Sequence, residues 1–315
     1  MSEGDPSSPN LPELTVPAEL KPQRLDAFLR ERLAISRTQL SSLFESGGVR
    51  VNGRLAKKGQ IVEAGQRIRL RSVPSGASLV ADLDLPLSVL HLDDAFLFVD
   101  KPAGYPSHPL RPGERGTLAN AIAARFPECL LASDEPREAG LCHRLDVGTS
   151  GVVLVARTPE AWKFARELFG RQEVDKRYWA LVTGPLADEG EVDLPLRHAP
   201  KHPERVEAAA GDPRARPARS AFRVLAREGT HSLVEVRIFT GVMHQVRAHL
   251  AAIGAPIAGD PLYGGRPQRS LARPFLHARS LALKHPREGE HLLVHSPLPT
   301  ELASTLAQLR ISNPG

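Results

Sequence analysis

The stretch HRLDVGTSGVVLVA, His143 to Ala156, decides the fold. Its second half, Val152 to Val155, is a continuous apolar and largely β-branched run, the pattern of a strand buried on both faces. Its first half puts Asp146, Gly148, Thr149, Ser150 and Gly151 into a polar turn. Two glycines and two small hydroxyl residues let the backbone turn tightly and let another molecule approach. Asp146 therefore sits on a loop fixed by a rigid strand, a common position for side chains that carry chemistry. Two roles are open for Asp146 and Ser150 at this point: chemistry, or satisfying the amides of the turn.

Five further blocks surround this stretch: HLDDAFLFVDKPAG (His91 to Gly104), KRYWALVTG (Lys176 to Gly184), FTGVMHQVRAHL (Phe239 to Leu250), GDPLYG (ending at Gly264) and LHARSLAL (Leu276 to Leu283), the last followed by His285-Pro286. In this order and at this spacing the set resembles the RluA-type RNA pseudouridine synthases, enzymes that isomerise uridine in RNA. The resemblance covers about residues 89 to 300. It implies an α+β fold: a mixed, mostly antiparallel sheet with flanking helices and a central cleft.

The chain has 315 residues, enough for one large domain and a small one. A net charge of +5 suits a polyanionic partner, because cations that replace condensed counterions on phosphates gain affinity. Only Cys129 and Cys142 are present, too few for a disulfide framework and without metal-ligand spacing. Histidines 198, 202, 285, 291 and 295 are loosely grouped, again without such spacing. The start, MSEGDPSSPNLPEL, does not read as a signal peptide, and no apolar run approaches membrane-spanning length. The expectation is a soluble, cytoplasmic protein that does not engage membranes.

Residues 1–17, rich in Ser, Pro and acidic side chains, read as a flexible tail. Residues 18–73 read as a small α/β domain. Leu25, Phe28, Leu29 and Leu33 recur at helical spacing. Ser36 and Gln39 form a capping box for a second helix carrying Leu40, Leu43 and Phe44, which Gly47-Gly48 ends. Asn52-Gly53 is a hairpin turn signal. Within this unit RLDAFLRERL and SRTQLSSLFESGGVRVNG resemble the S-four RNA-binding domain. The resemblance implies docking to RNA through phosphates and shape, with Arg24, Arg37, Arg50, Lys57 and Lys58 among the contacting cations. Residues 74–88, with Pro74, Gly76 and Pro86, read as a linker, and 89–312 as the catalytic domain.

Within 89–312, Phe96 to Val99 reads as a strand entering the turn Lys101-Pro102-Ala103-Gly104. Lys101 either contacts phosphate or caps this turn. Thr117 and Thr158 are helix caps, the second with Pro159 at the first helical position. Tyr178 to Val182 and Leu233 to Ile238 read as strands. Residues 197–219 are rich in Pro, Arg and His with little periodicity and read as a loop or insertion. A helix after Thr240-Gly241 carries Val246, Leu250 and Ile253 on one face.

Turning uridine into pseudouridine breaks a nitrogen–carbon glycosidic bond and makes a carbon–carbon bond. The uracil must detach, rotate and reattach without escaping. That needs an acidic or nucleophilic group at the sugar–base junction, a group to move a proton and a closed pocket; a carboxylate can serve as the nucleophile or base. No redox step occurs, so no cofactor or metal is implied. The resemblance implies that Asp146 is the catalytic carboxylate and that Arg247 pairs with it. A guanidinium orients a carboxylate and favours its charged form. Tyr178 would stack on the uracil and act as the late proton acceptor, and Leu250 would line the uracil pocket. Arg144 would enter the gap left when the target nucleotide is flipped out of folded RNA. His143 belongs to the substrate-binding set as a support of the loop. Two departures from the family pattern stand out: Val242 where arginine is common, and Ser220-Ala221-Phe222 where Thr-x-Tyr is common.

The leading reading is therefore an RNA pseudouridine synthase, an isomerase acting as a monomer on ribosomal RNA or a pre-ribosomal particle. The alternative is a non-catalytic RNA-binding or ribosome-assembly factor of the same fold, which loss of Asp146, Tyr178 or Arg247 would have favoured. A hydrolase built on Ser150 lacks the GxSxG elbow.

Overall fold

A computed structural model describes residues 13–17, 20–33, 37–45, 47–70, 79–111, 113–268, 271–287 and 291–314. The chain divides into two units, one running to Leu79 and one beginning at Val80 and holding most of the rest.

The first unit contains β1 (Glu13–Thr15), β2 (Gln23–Arg24), α1 (Leu25–Leu33), α2 (Arg37–Glu45), β3 (Val49–Val51), β4 (Arg54–Leu55), β5 (Ile61–Val62) and β6 (Arg67–Leu70). Leu25, Phe28 and Leu29 of α1 and Leu40 and Leu43 of α2 pack with Val49, Val51, Val62, Ile68 and Leu70 into one core. Asn52 and Gly53 both take positive φ between β3 and β4, the conformation their sequence favours. Of the expected tail 1–17, residues 1–12 lie outside the described residues, and residues 13–16 are part of the fold. Glu13–Thr15 pairs antiparallel with β6, and Val16 is buried in the core. A single apolar pair, Leu14 and Val16, anchors this edge and is too short to show a period. The Ser36 end of the expected capping box lies outside the described residues, as does the side chain of Arg37.

The second unit contains β7 (Ser88–Leu92), β8 (Phe96–Lys101), α3 (Leu118–Arg125), β9 (Ser150–Ala156), α4 (Pro159–Gly170), β10 (Asp175–Thr183), β11 (Glu189–Asp193), β12 (Leu196–Ala199), β13 (His202–Ala208), β14 (Arg219–Glu228), β15 (His231–Ile238), α5 (Gln245–Ala252), β16 (Leu276–Lys284), β17 (His291–His295) and α6 (Thr300–Gln308). The main sheet runs β11-β14-β15-β10-β16-β9-β8-β7, with β17 also paired to β16. Among the described residues its one parallel pairing joins β9 to β16, Ser150 opposite His277 and Gly151 opposite Ala278. Every residue of β9 is buried, as its continuous apolar run requires. Gly151 has φ +123°, and a Cβ there would stand 2.3 Å from the Ala278 carbonyl oxygen, so no other residue lets these strands meet. This junction fixes the loop that precedes β9.

Two expectations change here. Residues 80–88 are packed and are not a linker. The Asp82 amide donates to the Asn120 carbonyl at 3.0 Å, the Asn120 side-chain amide donates to the Val80 carbonyl at 2.7 Å, and Leu85 is buried. Polar residues that read as linker act as partners of α3. Residues 197–219 are not an unstructured loop, because β12 and β13 form a hairpin in them. Leu196, Val206 and Ala218 are buried against Ala248 and Tyr263. Only one residue in several faces inward, and Arg197–Glu207 and Arg197–Asp212 ion pairs cover the outside, which hides the strand period. The Thr117 and Thr158 caps form as expected, accepting from the amides of Asn120 and Ala161.

Candidate active site

The loop 143–150 is held from behind by its own carbonyls. Lys101, fully buried at the end of β8, donates from Nζ to the carbonyls of Pro102 (2.9 Å), Thr149 (2.9 Å) and Val147 (3.4 Å). Burial lowers its pKa to about 7, against the opposing pull of Asp146. Of the two roles open for Lys101, the geometry is that of the turn cap; its ammonium is enclosed by protein and does not reach phosphate. The Gly104 amide also donates to the Val147 carbonyl at 2.8 Å, and the Ser107 hydroxyl exchanges bonds with the Leu145 amide and carbonyl. Arg273 donates to the Gly148 carbonyl at 3.1 Å. Four carbonyls of this loop, those of Leu145, Val147, Gly148 and Thr149, thus accept from groups behind it, most of them side chains.

His143 belongs to the same support. Its Nε2 accepts from the Leu154 amide of β9 at 3.0 Å, and its ring lies 5.1 Å from that of Phe169. Burial lowers its pKa to about 3, so the ring stays neutral and accepts.

In front of the loop is a cavity of about 570 Å³. Asp146, Tyr178 and Arg247 all line it, with Arg144, Lys176 and Arg216 also present. Arg247, on α5, has one Nη 3.6 Å from Asp146 Oδ2. Its other nitrogens grip Asp260 in a fork, Nε at 2.7 Å and Nη2 at 2.8 Å. Asp260 is fully enclosed. The Arg247 guanidinium also lies over the Tyr263 ring, 5.0 Å from its centroid. One cation therefore joins a buried structural carboxylate to one that faces the cavity. A fork held on one side leaves little freedom on the other.

Tyr178, on β10, is buried, and its hydroxyl has no hydrogen-bond partner among the described residues. Burial, with Asp146 nearby, pushes its pKa well above the ordinary phenol value. Arg144 is exposed and makes no hydrogen bond or ion pair with any described residue. Leu250 does not line the cavity. It is buried on the inner face of α5, while Val246, one turn earlier, and Leu276 of β16 reach the cavity wall. The resemblance pointed to the right helix but the wrong turn.

The sequence reading passed over Asp260, His244 and Tyr263. Asp260 and Tyr263 sit in GDPLYG, and His244 in the Arg247 block. The available signal was a buried arginine's need for a carboxylate. Ser150 lies outside the cavity, buried against His277 Nδ1 at 3.0 Å, where it is structural.

In the amino-terminal unit Arg24, Arg50, Lys57 and Lys58 are all exposed. Arg24 pairs with Asp26 at 2.9 Å, which partly neutralises it, and Lys58 donates to Ser41 at 3.1 Å.

The model of the RNA pseudouridylate synthase family matches residues 95–252, and that of the S4 domain matches residues 23–68. The chain belongs to the RNA pseudouridylate synthase family. It is 35% identical to a ribosomal large subunit pseudouridine synthase D of Xanthomonas campestris, over 97% of this chain and 95% of that one. It is 39% identical to the protein of the same name from Nitrosomonas europaea, over 98% of this chain and 90% of the relative. Among solved structures, human RNA pseudouridylate synthase domain containing 4 superposes with a TM-score of 0.58 at 25% identity, covering 72% of this chain and 95% of its own. The chain is an isomerase of uridine in RNA with an amino-terminal S4 domain. No described helix is long and apolar enough to cross a membrane.

Proposed function

We propose that this protein converts uridines of large-subunit ribosomal RNA to pseudouridine in the cytoplasm, acting as a monomer on free or ribosome-bound RNA. The observation that carries the reading is the run Asp146–Arg247–Asp260 at the wall of a cavity that also holds Tyr178. At about 570 Å³ the cavity is of the size usual for a small-molecule site and takes a single flipped nucleotide. Asp146 is the catalytic carboxylate at the ribose–uracil junction, oriented by Arg247. The reaction cleaves the bond from the sugar's C1′ to N1 and joins C1′ to C5. The proton displaced from C5 is lost and N1 gains one, so no atom is added.

Tyr178 walls the uracil. Burial and the nearby Asp146 keep the Tyr178 proton on its oxygen in the free protein, and Tyr178 is the group placed at the uracil to take the proton displaced from C5 late in the reaction. Arg144, unpaired at the rim, enters the RNA. The relatives named as large-subunit enzymes and the S4 domain support the choice of RNA. The non-catalytic alternative is not favoured, because Asp146, Tyr178 and Arg247 meet in one cavity.

Pseudouridine mapping of total RNA from a strain lacking the gene tests the substrate. Loss of the mark at one or a few large-subunit positions, restored by the wild-type gene, is expected. Loss confined to tRNA or mRNA would overturn the substrate assignment.

A further inference from the structure

Asp146 meets a second side chain besides Arg247. His244 Nε2 lies 3.7 Å from Asp146 Oδ2. His244 holds left-handed backbone (φ +54°) immediately before α5, a conformation uncommon for a residue other than glycine. Its imidazole caps no helix amide. Instead Nδ1 is 3.1 Å from the Tyr263 hydroxyl, and the two rings meet edge to face at 5.7 Å.

The Tyr263 oxygen accepts the backbone N–H of Val206 at 2.9 Å. Its own proton then has His244 Nδ1 as its acceptor among the described residues. An imidazole that accepts at Nδ1 carries its proton at Nε2, the nitrogen beside Asp146. Burial favours the neutral ring, which keeps this tautomer distinct. The chain of donors thus runs from the β12–β13 hairpin, through Tyr263 and His244, to the cavity carboxylate. At 3.7 Å the last link is not yet a hydrogen bond. Contacts of this kind are often long without substrate, and a shift of under about 1 Å closes it.

We propose that His244 is the second positioning donor of Asp146, with its proton fixed at Nε2 by Tyr263, so that the Val206 backbone helps set the angle at which the carboxylate meets the ribose. The assignment rests on Asp146 being the catalytic carboxylate. Arg247 at 3.6 Å and His244 at 3.7 Å both approach the same oxygen, Asp146 Oδ2. One donor leaves that oxygen free to swing about the contact; two donors from different side chains fix where it lies.

The test is single-turnover conversion of a large-subunit rRNA transcript by the full-length protein, with RNA affinity measured in parallel. His244→Phe keeps a ring and removes both nitrogens. It is expected to slow conversion by about 100-fold while RNA affinity stays within about twofold. His244→Gln, which can offer an N–H near the place of Nε2, is expected to recover most of the loss. Tyr263→Phe retains the ring under Arg247, so it should cost about 10-fold alone and almost nothing more in the His244→Phe background. A nitrogen-15 spectrum of the histidines should show His244 protonated at Nε2 and, in Tyr263→Phe, a mixture of tautomers. Conversion by His244→Phe at the wild-type rate, a loss confined to RNA affinity, or a wild-type ring protonated at Nδ1 each overturns the proposal. Asp146→Asn runs alongside. If it converts RNA normally, the reading beneath the proposal falls; if it is dead while His244→Phe is unimpaired, only the role of His244 falls.

Discussion

Two arginines flank Asp146 and are held in opposite ways. Arg247 is buried, forked onto Asp260 and laid over Tyr263, and it enters the cavity with one nitrogen to spare. Arg144 is exposed and has no partner among the described residues. The first is fixed before substrate arrives and its charge is committed to a carboxylate. The second has lost no freedom and is available to a phosphate or to the space left by a base. Under the proposed function the contrast separates two tasks that both need a cation: organising a reacting group, which calls for rigidity, and entering a nucleic acid, which calls for reach.

The sharpest way to break this contrast is Arg247→Ala. It strands Asp260 without a partner in a fully enclosed site and should cost about 3–5 kcal/mol of stability, read from denaturant unfolding. Conversion should fall by on the order of 1000-fold, and Arg247→Lys should not restore it, because an ammonium lacks the fork. Next in size is Lys101→Met. The Pro102 and Thr149 carbonyls lose their ammonium donor while that of Val147 keeps the Gly104 amide, so stability should drop by about 2 kcal/mol and conversion should fall with little change in RNA affinity. A drop in affinity alone would return Lys101 to the phosphate role.

Arg144→Ala should leave stability unchanged. If the arginine binds phosphate, affinity falls about 10-fold and the salt dependence of binding flattens by about one ion. If it fills the gap left by the flipped base, single-turnover conversion falls instead.

The smallest effect is on pH dependence. His143, partly buried, and His277, fully buried, have pKa values lowered by desolvation to about 3 and about 4. The unfolded chain takes up protons near pH 6.5 that the native protein refuses. Stability is therefore full above about pH 6.5 and declines as pH falls toward 4, by at most about 1.4 kcal/mol per pH unit for each histidine. His143→Asn should flatten the decline, measured by unfolding at pH 7 and pH 5.

The sequence revealed the rigid half of this design more readily than the partners it relies on. The run Val152 to Val155 announced a doubly buried strand, and Asp146, Tyr178 and Arg247 were legible because their blocks resemble a family in order and spacing. All three line one cavity. Asp260 and Tyr263 were not singled out, because a buried partner leaves no periodic trace and its meaning depends on a chain reversal of more than a dozen residues. Lys101 stayed ambiguous for the same reason: three backbone carbonyls that receive it cannot be read from side-chain types. The β12–β13 hairpin was hidden by its charged outer face, and residues 80–88 by polar side chains whose partners lie on α3. Leu250 shows the limit of the resemblance, which found the helix but not the turn that meets the cavity.

The central claim is that Asp146 acts on bound uridine and does not serve to bind RNA. The direct measurement is purified Asp146→Asn on a large-subunit rRNA transcript, with RNA affinity and pseudouridine formed both recorded. Affinity within about twofold of wild type, with conversion lower by at least about 1000-fold, is the predicted result. Pseudouridine formed at a rate near wild type would contradict it, and so would a loss of conversion wholly matched by a loss of RNA binding.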